Sequence, residues 1–296
     1  MDPINIKNDF DNINIIVTGG TEGFGKKIIE NLIEKGANIS FCARNLNKIH
    51  DVKKLFDKSK KIDQKILSMD IDVSNKNEVE NFVKYTKNEL SSIDVLINNA
   101  GVYGPIGPIE SNNWDEWIEA ININLIGSIL MMRSLIPTFK KQKKGKIIQM
   151  SGGGATNPMP NFSSYAVSKT GIIRFVETLS CEMKEYNTYV NAVAPGALNT
   201  KMLNKVLESD PEKVGKEFYD KSLTQKEEGG AGFQKGIDLI NFLVSEESNG
   251  ITGKLISAQW DNYKTWLSNS NDISDSDVYT LKRIIGKDRN LNWGDK

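Results

Sequence analysis

From residue 13 onward, short runs of β-branched and aliphatic residues alternate with longer stretches whose apolar positions recur every three or four residues. That alternation predicts parallel strands joined by crossover helices, hence an α/β fold with a sheet covered on both faces. The predicted strands are Ile13–Val17, Asn38–Ala43, Lys65–Asp70, Asp94–Ile97, Lys146–Met150, Tyr189–Ala194 and Gly253–Ala258. Between them, Ile28, Ile29, Leu32 and Ile33 share one helical face before Gly36, and Val79, Phe82, Val83 and Leu90 share another on a helix opening near Ser74. Further helices are expected over about 47–58, from a Ser111 cap to about Thr138 with Pro137 at a frayed end, around Tyr165, and over 233–245. Residues 199–232 have no strand character. Residues 259–296 carry Trp260, Tyr263, Trp266, Tyr279 and Trp293, an aromatic density that predicts docking onto a surface. Within them, Tyr279–Ile285 reads as a short helix capped by Ser276 or Asp277.

Charge narrows the picture by exclusion. Lysine plus arginine equals aspartate plus glutamate at 38 each, so no net field recruits nucleic acid or an anionic membrane. The Lys140–Lys144 run precedes Gly145 at a helix end, where cations complement the dipole. The two cysteines, Cys42 and Cys181, fall in a predicted strand and a predicted helix, the usage of a reducing compartment. Polar residues Met1–Asn12 resemble no targeting signal, and the apolar run Ile126–Met132 is too short to span a bilayer, so a soluble cytoplasmic protein is expected. His50 stands alone, and no Cys/His cluster has zinc spacing.

Two patterns carry chemistry. Gly19, Gly23 and Gly25 lie between the first strand and the first helix, where glycines let the backbone turn tightly and approach a pyrophosphate that meets the helix N-terminus. Tyr165 and Lys169, four apart on a helix, place an ammonium beside a phenol and favour its ionised form, which makes it a proton donor and acceptor near neutral pH.

The spacing TGxxxGxG at 18–25, Asn98-Asn99-Ala100-Gly101, Tyr165-x-x-x-Lys169 and Pro195-Gly196-x-x-x-Thr200 resembles the short-chain dehydrogenase/reductase family, over roughly residues 13–258. The glycine spacing matches its shorter oxidoreductase branch; the extended branch of sugar epimerases and dehydratases would want a glycine at Glu22. The resemblance implies a Rossmann-type, doubly wound parallel sheet of about seven strands over residues 1–258, with a variable substrate lid at about 199–232 and a C-terminal extension packing on its own domain or a neighbouring subunit. It implies that Tyr165 is the general acid/base, that Lys169 lowers its pKa and holds the nicotinamide ribose, and that Asn124 supports a water in the proton relay. Asn122 is the competing asparagine, but Leu125 and Gly127 fit the family pattern around Asn124 better. Cofactor contacts are implied for Gly19, Thr21, Gly23, Phe24 and Gly25 in the glycine loop, Arg44, Asp72 and Val73 at the adenosine end, and Asn98, Ala100, Gly101, Pro195, Gly196 and Thr200 along the groove. The substrate is then an alcohol or carbonyl, and the assembly a homodimer or homotetramer pairing the helices at about 112–138 and 163–185.

Two positions depart from the family pattern. The catalytic serine expected thirteen residues before Tyr165 is replaced by Gly152. Either neighbouring Ser151 takes its part, which the glycines at 152–154 would allow by letting the loop adjust, or the hydroxyl is lost from the site. At the end of the second strand, Ala43 stands where an NAD-preferring member carries an acid, and Arg44 suits a 2′-phosphate, so NADP(H) is expected over NAD(H) although Glu22 replaces a basic residue of NADP-binding relatives. Competing readings are a sugar or nucleotide-sugar epimerase or dehydrogenase of the same fold, and a cofactor-binding regulatory protein without turnover. Tyr103, Asn157 and Met159 flank the expected site, and the Lys, Glu and Asp of 199–232 together with Phe218 and Tyr219 suggest a partly polar pocket; the tail reads as a packing arm, with contact of Lys282 and Arg283 to an anionic substrate as the alternative.

Overall fold

The computed structural model describes residues 10–294; most of the polar stretch Met1–Asn12 lies outside them. Strands β1 (Asn14–Thr18), β2 (Asn38–Ala43), β3 (Ile66–Asp70), β4 (Val95–Asn98), β5 (Gly145–Met150), β6 (Thr188–Ala194) and β7 (Leu255–Ser257) form one sheet in the order β3-β2-β1-β4-β5-β6-β7, each paired parallel to its neighbours. β1, β4 and β5 are buried along their whole length, which is why they read as continuous apolar runs rather than alternating ones.

The connecting helices are α1 (Gly23–Glu34), α2 (Leu46–Ser59), α3 (Lys76–Glu89), α4 (Trp114–Ile121), α5 (Ser128–Gln142) and α6 (Ser163–Glu182). Asn75, not Ser74, caps α3 by accepting from the amides of Asn77 and Glu78. Asn113, not Ser111, caps α4, since its side chain accepts from Glu116 N at 3.1 Å. α4 and α5 are joined through a π-turn, Asn122–Gly127, and the helix passes through Pro137 to end at Lys143 in the left-handed region. The whole helix, 114–142, is long and apolar enough by composition to cross a membrane, but Met131, Met132, Leu135 and Phe139 are buried in the core shared with α3, α6 and the sheet. α1, α2 and α10 (Gln234–Val244) cover the other face, where Ile28, Ile29, Leu32, Phe56, Leu239 and Leu243 pack on the sheet. Residues 199–232, read as strandless, fold into α7 (Lys201–Leu207), α8 (Pro211–Val214) and α9 (Lys216–Glu228) above the C-terminal ends of the strands.

The tail packs on its own domain. Tyr263 and Trp266 are buried, Tyr263 against Phe242 and Trp266 against Tyr279, whereas Trp260 and Trp293 stay exposed. The helix expected over Tyr279–Ile285 is absent; the chain forms α11 (Ser270–Asp275) earlier, turns over 276–280 with Tyr279 in the left-handed region (φ 61°), and then passes on without regular secondary structure. Tertiary bonds override the local preference there. Leu255 N donates to Tyr279 O at 2.9 Å, Lys254 Nζ to the carbonyls of Ser276 and Val278, and Leu281 N to Glu177 Oε1 at 2.6 Å. Lys282 pairs with Asp277, and neither Lys282 nor Arg283 lines the large cavity, which favours the packing-arm reading of the tail over the anionic-substrate alternative.

Candidate active site

The chain builds outward from β1 through β2 to β3, then crosses to β4 and continues the other way, so the strand order reverses between β1 and β4. A crevice is left at the C-terminal ends of strands at such a switch point. A cavity of about 1330 Å³ opens there, lined by the loops after β1, β2, β4, β5 and β6 and by the lid helices.

The loop after β1 forms its floor. Gly19 has φ +68°, and a Cβ on it would lie 3.0 Å from Ala100 Cα, so only glycine fits both the turn and the approach of the two loops. Thr18 Oγ1 accepts from the amides of Asn99 and Ala100, each at 3.0 Å, tying β4 to β1. Gly19, Thr21, Gly23 and Phe24 line the cavity, and α1 starts there without any side chain capping its first amides. The twelve-residue helix therefore turns the uncapped amides of its first turn toward the floor, an arrangement fitted to a pyrophosphate. Gly25 is a correction: it does not line the cavity, and a Cβ there would lie 2.3 Å from Gly19 O, so its part is helix–loop packing.

A second correction concerns β4. Asn98 is buried and donates from Nδ2 to Ser128 O at 3.0 Å, while Asn99 lines the cavity and donates to the carbonyls of Thr18 and Gly19. Successive side chains leave a strand on opposite faces, so of two adjacent asparagines only one meets the groove. Arg44, Asp72, Val73, Ala100, Gly101, Pro195, Gly196 and Thr200 all line the cavity. Phe24 stacks on Phe233, with ring centroids 6.1 Å apart.

At the adenosine end the charges are exposed and paired. Arg44 meets Glu119 at 3.1 Å, and Glu22 Oε2 accepts from Lys48 at 2.9 Å and from Lys201 of the lid. Partial burial works against the ionised Glu22 carboxyl, but hydrogen bonds from Lys201 and Lys48 hold its pKa below the ordinary value. Lys48 and Lys201 were invisible as a pair in the sequence, because the carboxylate joining them is far from both.

At the other end the groups are buried and few partners reach them. Tyr165 and Lys169 lie on the cavity wall one turn apart on α6, with Lys169 Nζ 5.6 Å from the Tyr165 ring centroid and donating to Met150 O at 3.0 Å. Burial pushes the Lys169 ammonium down to about 8, and burial, with Tyr103 alongside, pushes the Tyr165 phenol up. Burial of both groups thus opposes the lowering of the phenol expected from Lys169. Cys42, also on the wall, is a buried thiol pushed up to about 12 and is no nucleophile.

Asn124 stands behind this wall, fully buried and outside the cavity. Its Oδ1 accepts from Val102 N, and its Nδ2 donates to Val102 O and Ser168 Oγ. With every polar atom bonded to protein, Asn124 clamps the 100–103 loop. The π-turn around it is of the kind found inside helices at functional sites. Ser151 lies at the end of β5 on the wall, its Oγ buried and without a hydrogen-bond partner among the described residues. The cavity wall beyond Tyr165 carries Tyr103, Met159, Met202 and Phe218, with Asn157 and Lys221 more exposed, whereas Tyr219 does not line it and donates to Leu207 O.

A glycine-lined crevice at a switch point, joined to a buried tyrosine and lysine one helical turn apart, defines the class of dinucleotide-dependent oxidoreductases. A profile of the short chain dehydrogenase family matches residues 13–211. Mouse (Mus musculus) 3-ketodihydrosphingosine reductase is 34% identical over 188 residues, 63% of this chain but only 56% of that protein. Levodione reductase of Leifsonia aquatica is 27% identical over 246 residues, 82% of this chain and 91% of that one. The crystal structure of a levodione reductase superposes with a TM-score of 0.76 at 24% identity, covering 88% of this chain and 99% of that one, which shows the fold. The chain belongs to the short-chain dehydrogenase/reductase family, whose members are NAD(P)-dependent oxidoreductases.

Proposed function

We propose that this protein transfers hydride between NADP(H) and a small, largely apolar alcohol or carbonyl compound, with Tyr165 as the acid/base. The observation that carries this reading is the placement of Tyr165 and Lys169 on the wall of the same cavity whose floor is the uncapped N-terminus of α1. Gly19, Thr21 and Gly23 would hold the pyrophosphate, Asp72 and Val73 the adenine, and Thr200 the carboxamide; the bound nicotinamide supplies or accepts the hydride. Tyr165 gives its phenolic proton to the substrate oxygen in reduction and takes it back in oxidation, while the cationic Lys169, anchored on Met150 O, favours the phenolate left behind. Asn124 keeps the 100–103 loop in place, and Ser151 is the hydroxyl available to hold the substrate oxygen.

Preference for NADP(H) is supported by Arg44, Lys48 and Lys201 converging on the adenosine end, where a charge-assisted pair with a 2′-phosphate would form. An apolar substrate is supported by Tyr103, Met159, Met202 and Phe218. A homodimer or homotetramer in the cytoplasm completes the reading. Apolar exposure of Trp114, Ile118, Ile126 and Val167 on α4, the π-turn and α6 favours the assembly, which sedimentation would measure.

The test is a steady-state screen of carbonyl and alcohol panels against NADPH, NADP+, NADH and NAD+. Net cofactor turnover that disappears in Tyr165→Phe is expected. Tight cofactor binding without net turnover across the panels would overturn the oxidoreductase reading, and equal kcat/KM with NADH would overturn the NADP(H) preference.

A further inference from the structure

Three consecutive glycines follow Ser151, and the structure gives each a different environment. Gly152 is extended, with φ −169° and ψ 173°, a backbone that any residue adopts. Conformation therefore does not demand glycine there; space does. A Cβ built on Gly152 would lie 1.9 Å from the Tyr165 hydroxyl oxygen, 2.8 Å from Cζ and 3.1 Å from Cε1. Around Gly153 nothing lies within 4 Å, and on Gly154 a Cβ would lie 2.9 Å from Ala166 Cα. The run thus presses onto α6 at two points, with an open residue between them.

From these distances we infer that Gly152 is a positioning residue: the space of its missing side chain is the seat of the Tyr165 hydroxyl. The seat has fixed walls. Ala155 N donates to Gly152 O at 3.0 Å, and Thr170 Oγ1 on α6 donates to the carbonyls of Gly154 and Ala155, both at 3.3 Å, so the loop is bonded down to the helix that carries the phenol. On another side the Tyr103 ring stands edge-on to Tyr165, centroids 4.8 Å apart, and is itself packed on Phe162. A phenol displaced from Gly152 would have to move into Tyr103 or the cavity, changing its distance to Lys169. Gly152 therefore fixes where the proton donor stands. Adding a hydroxyl by Gly152→Ser should disable the site rather than reinforce it.

The kinetic half of this inference rests on Tyr165 being the acid/base of the proposed reaction; the structural half does not. Thermal denaturation of the full chain without substrate is accordingly measured for Gly152→Ala, Gly153→Ala, Tyr165→Phe and the Gly152→Ala/Tyr165→Phe double variant. Gly152→Ala should melt several degrees lower and Gly153→Ala should not. The loss should shrink in the Tyr165→Phe background, where the oxygen at 1.9 Å is gone and only Cζ at 2.8 Å remains. With a turned-over substrate, Gly152→Ser should lose on the order of 100-fold in kcat or more, the scale of a misplaced general acid, and shift the pH profile of kcat, with cofactor Kd held. Equal melting of Gly152→Ala and Gly153→Ala, or a loss undiminished by Tyr165→Phe, would overturn the inference. So would a Gly152→Ser enzyme with unchanged kcat and pH profile. Thermal coupling without turnover on any substrate would leave the seat standing and remove the oxidoreductase reading instead.

Discussion

The two ends of the one cavity are built on opposite electrostatic plans. At the adenosine end, Glu22, Lys48, Lys201, Arg44 and Glu119 are exposed and satisfied by one another. At the chemical end, Tyr165, Lys169 and the Ser151 hydroxyl are buried, and among the described residues the one hydrogen bond their side-chain polar atoms make runs from Lys169 to Met150 O. Exposed pairs contribute little to stability because water screens them and two long side chains lose freedom. Buried unpaired groups cost a great deal, and the cost is the source of their reactivity. Mutations should therefore separate the two ends: large changes in turnover and stability at one, changes in cofactor choice with almost none in stability at the other.

The largest effect is expected from Tyr165→Phe, which should lower kcat by about 10²–10⁴-fold with cofactor Kd retained, as fluorescence titration of NADPH would report. Lys169→Met should also abolish turnover, yet raise the stability of the cofactor-free chain. A lysine held near 8 instead of 10.5 carries about 3 kcal/mol of burial cost at about 1.36 kcal/mol per pH unit. The sign follows from linkage. Between about pH 8 and 10.5 the native Lys169 has released its proton and the unfolded one has not, so wild-type stability rises through that window. The advantage of Lys169→Met should be full below pH 8 and fade above it; urea melts showing an advantage that grows with pH would break the contrast.

At the adenosine end, Glu22→Gln frees Lys48 and Lys201, and the ratio of kcat/KM for NADPH over NADH should rise by about tenfold, the worth of one charge-assisted contact. Arg44→Ala should lower that ratio by a similar factor. The smallest effect sharpens the comparison most: both variants should melt within about 0.5 kcal/mol of wild type. A stability loss at Glu22 as large as the change at Lys169 would mean that the two ends do not differ in the way described.

Much of this was legible in the chain. Every predicted strand formed within two residues of its expected limits at each end, because each is a short β-prone run bracketed by turn residues, the central ones β1, β4 and β5 buried throughout and β3 and β7 at the sheet edges only in part. The glycine loop and the Tyr165–Lys169 pair lie where their spacing placed them. What sequence could not supply were side-chain directions and distant partners. Asn98 and Asn99 are chemically identical neighbours, and only the phase of β4 decides that Asn99 meets the cavity. Asn124 was legible as a polar residue needing partners, but its bonds to Val102 and Ser168 come from separate loops and helices. Tyr279–Ile285 has a helical pattern and lost its helix to tertiary hydrogen bonds, the Leu255 amide donating to Tyr279 O and the Leu281 amide donating to the Glu177 carboxylate. Gly152 marked a departure from the family pattern, while the reason for a glycine there, the phenol lying over it, exists only in three dimensions.

The turn that the tail lays against β7 at residues 276–280 has a further consequence. β7 is the last strand of the sheet, and an outermost strand offers its unused backbone amides and carbonyls to any passing chain. Tyr279 O takes the Leu255 amide, and Ser276 and Val278 anchor the neighbouring Lys254 side chain, so the sheet ends against its own sequence rather than against solvent. Residues 276–279 are thus a chain-borne selvedge, a finished border laid along the outer edge of a seven-stranded weave.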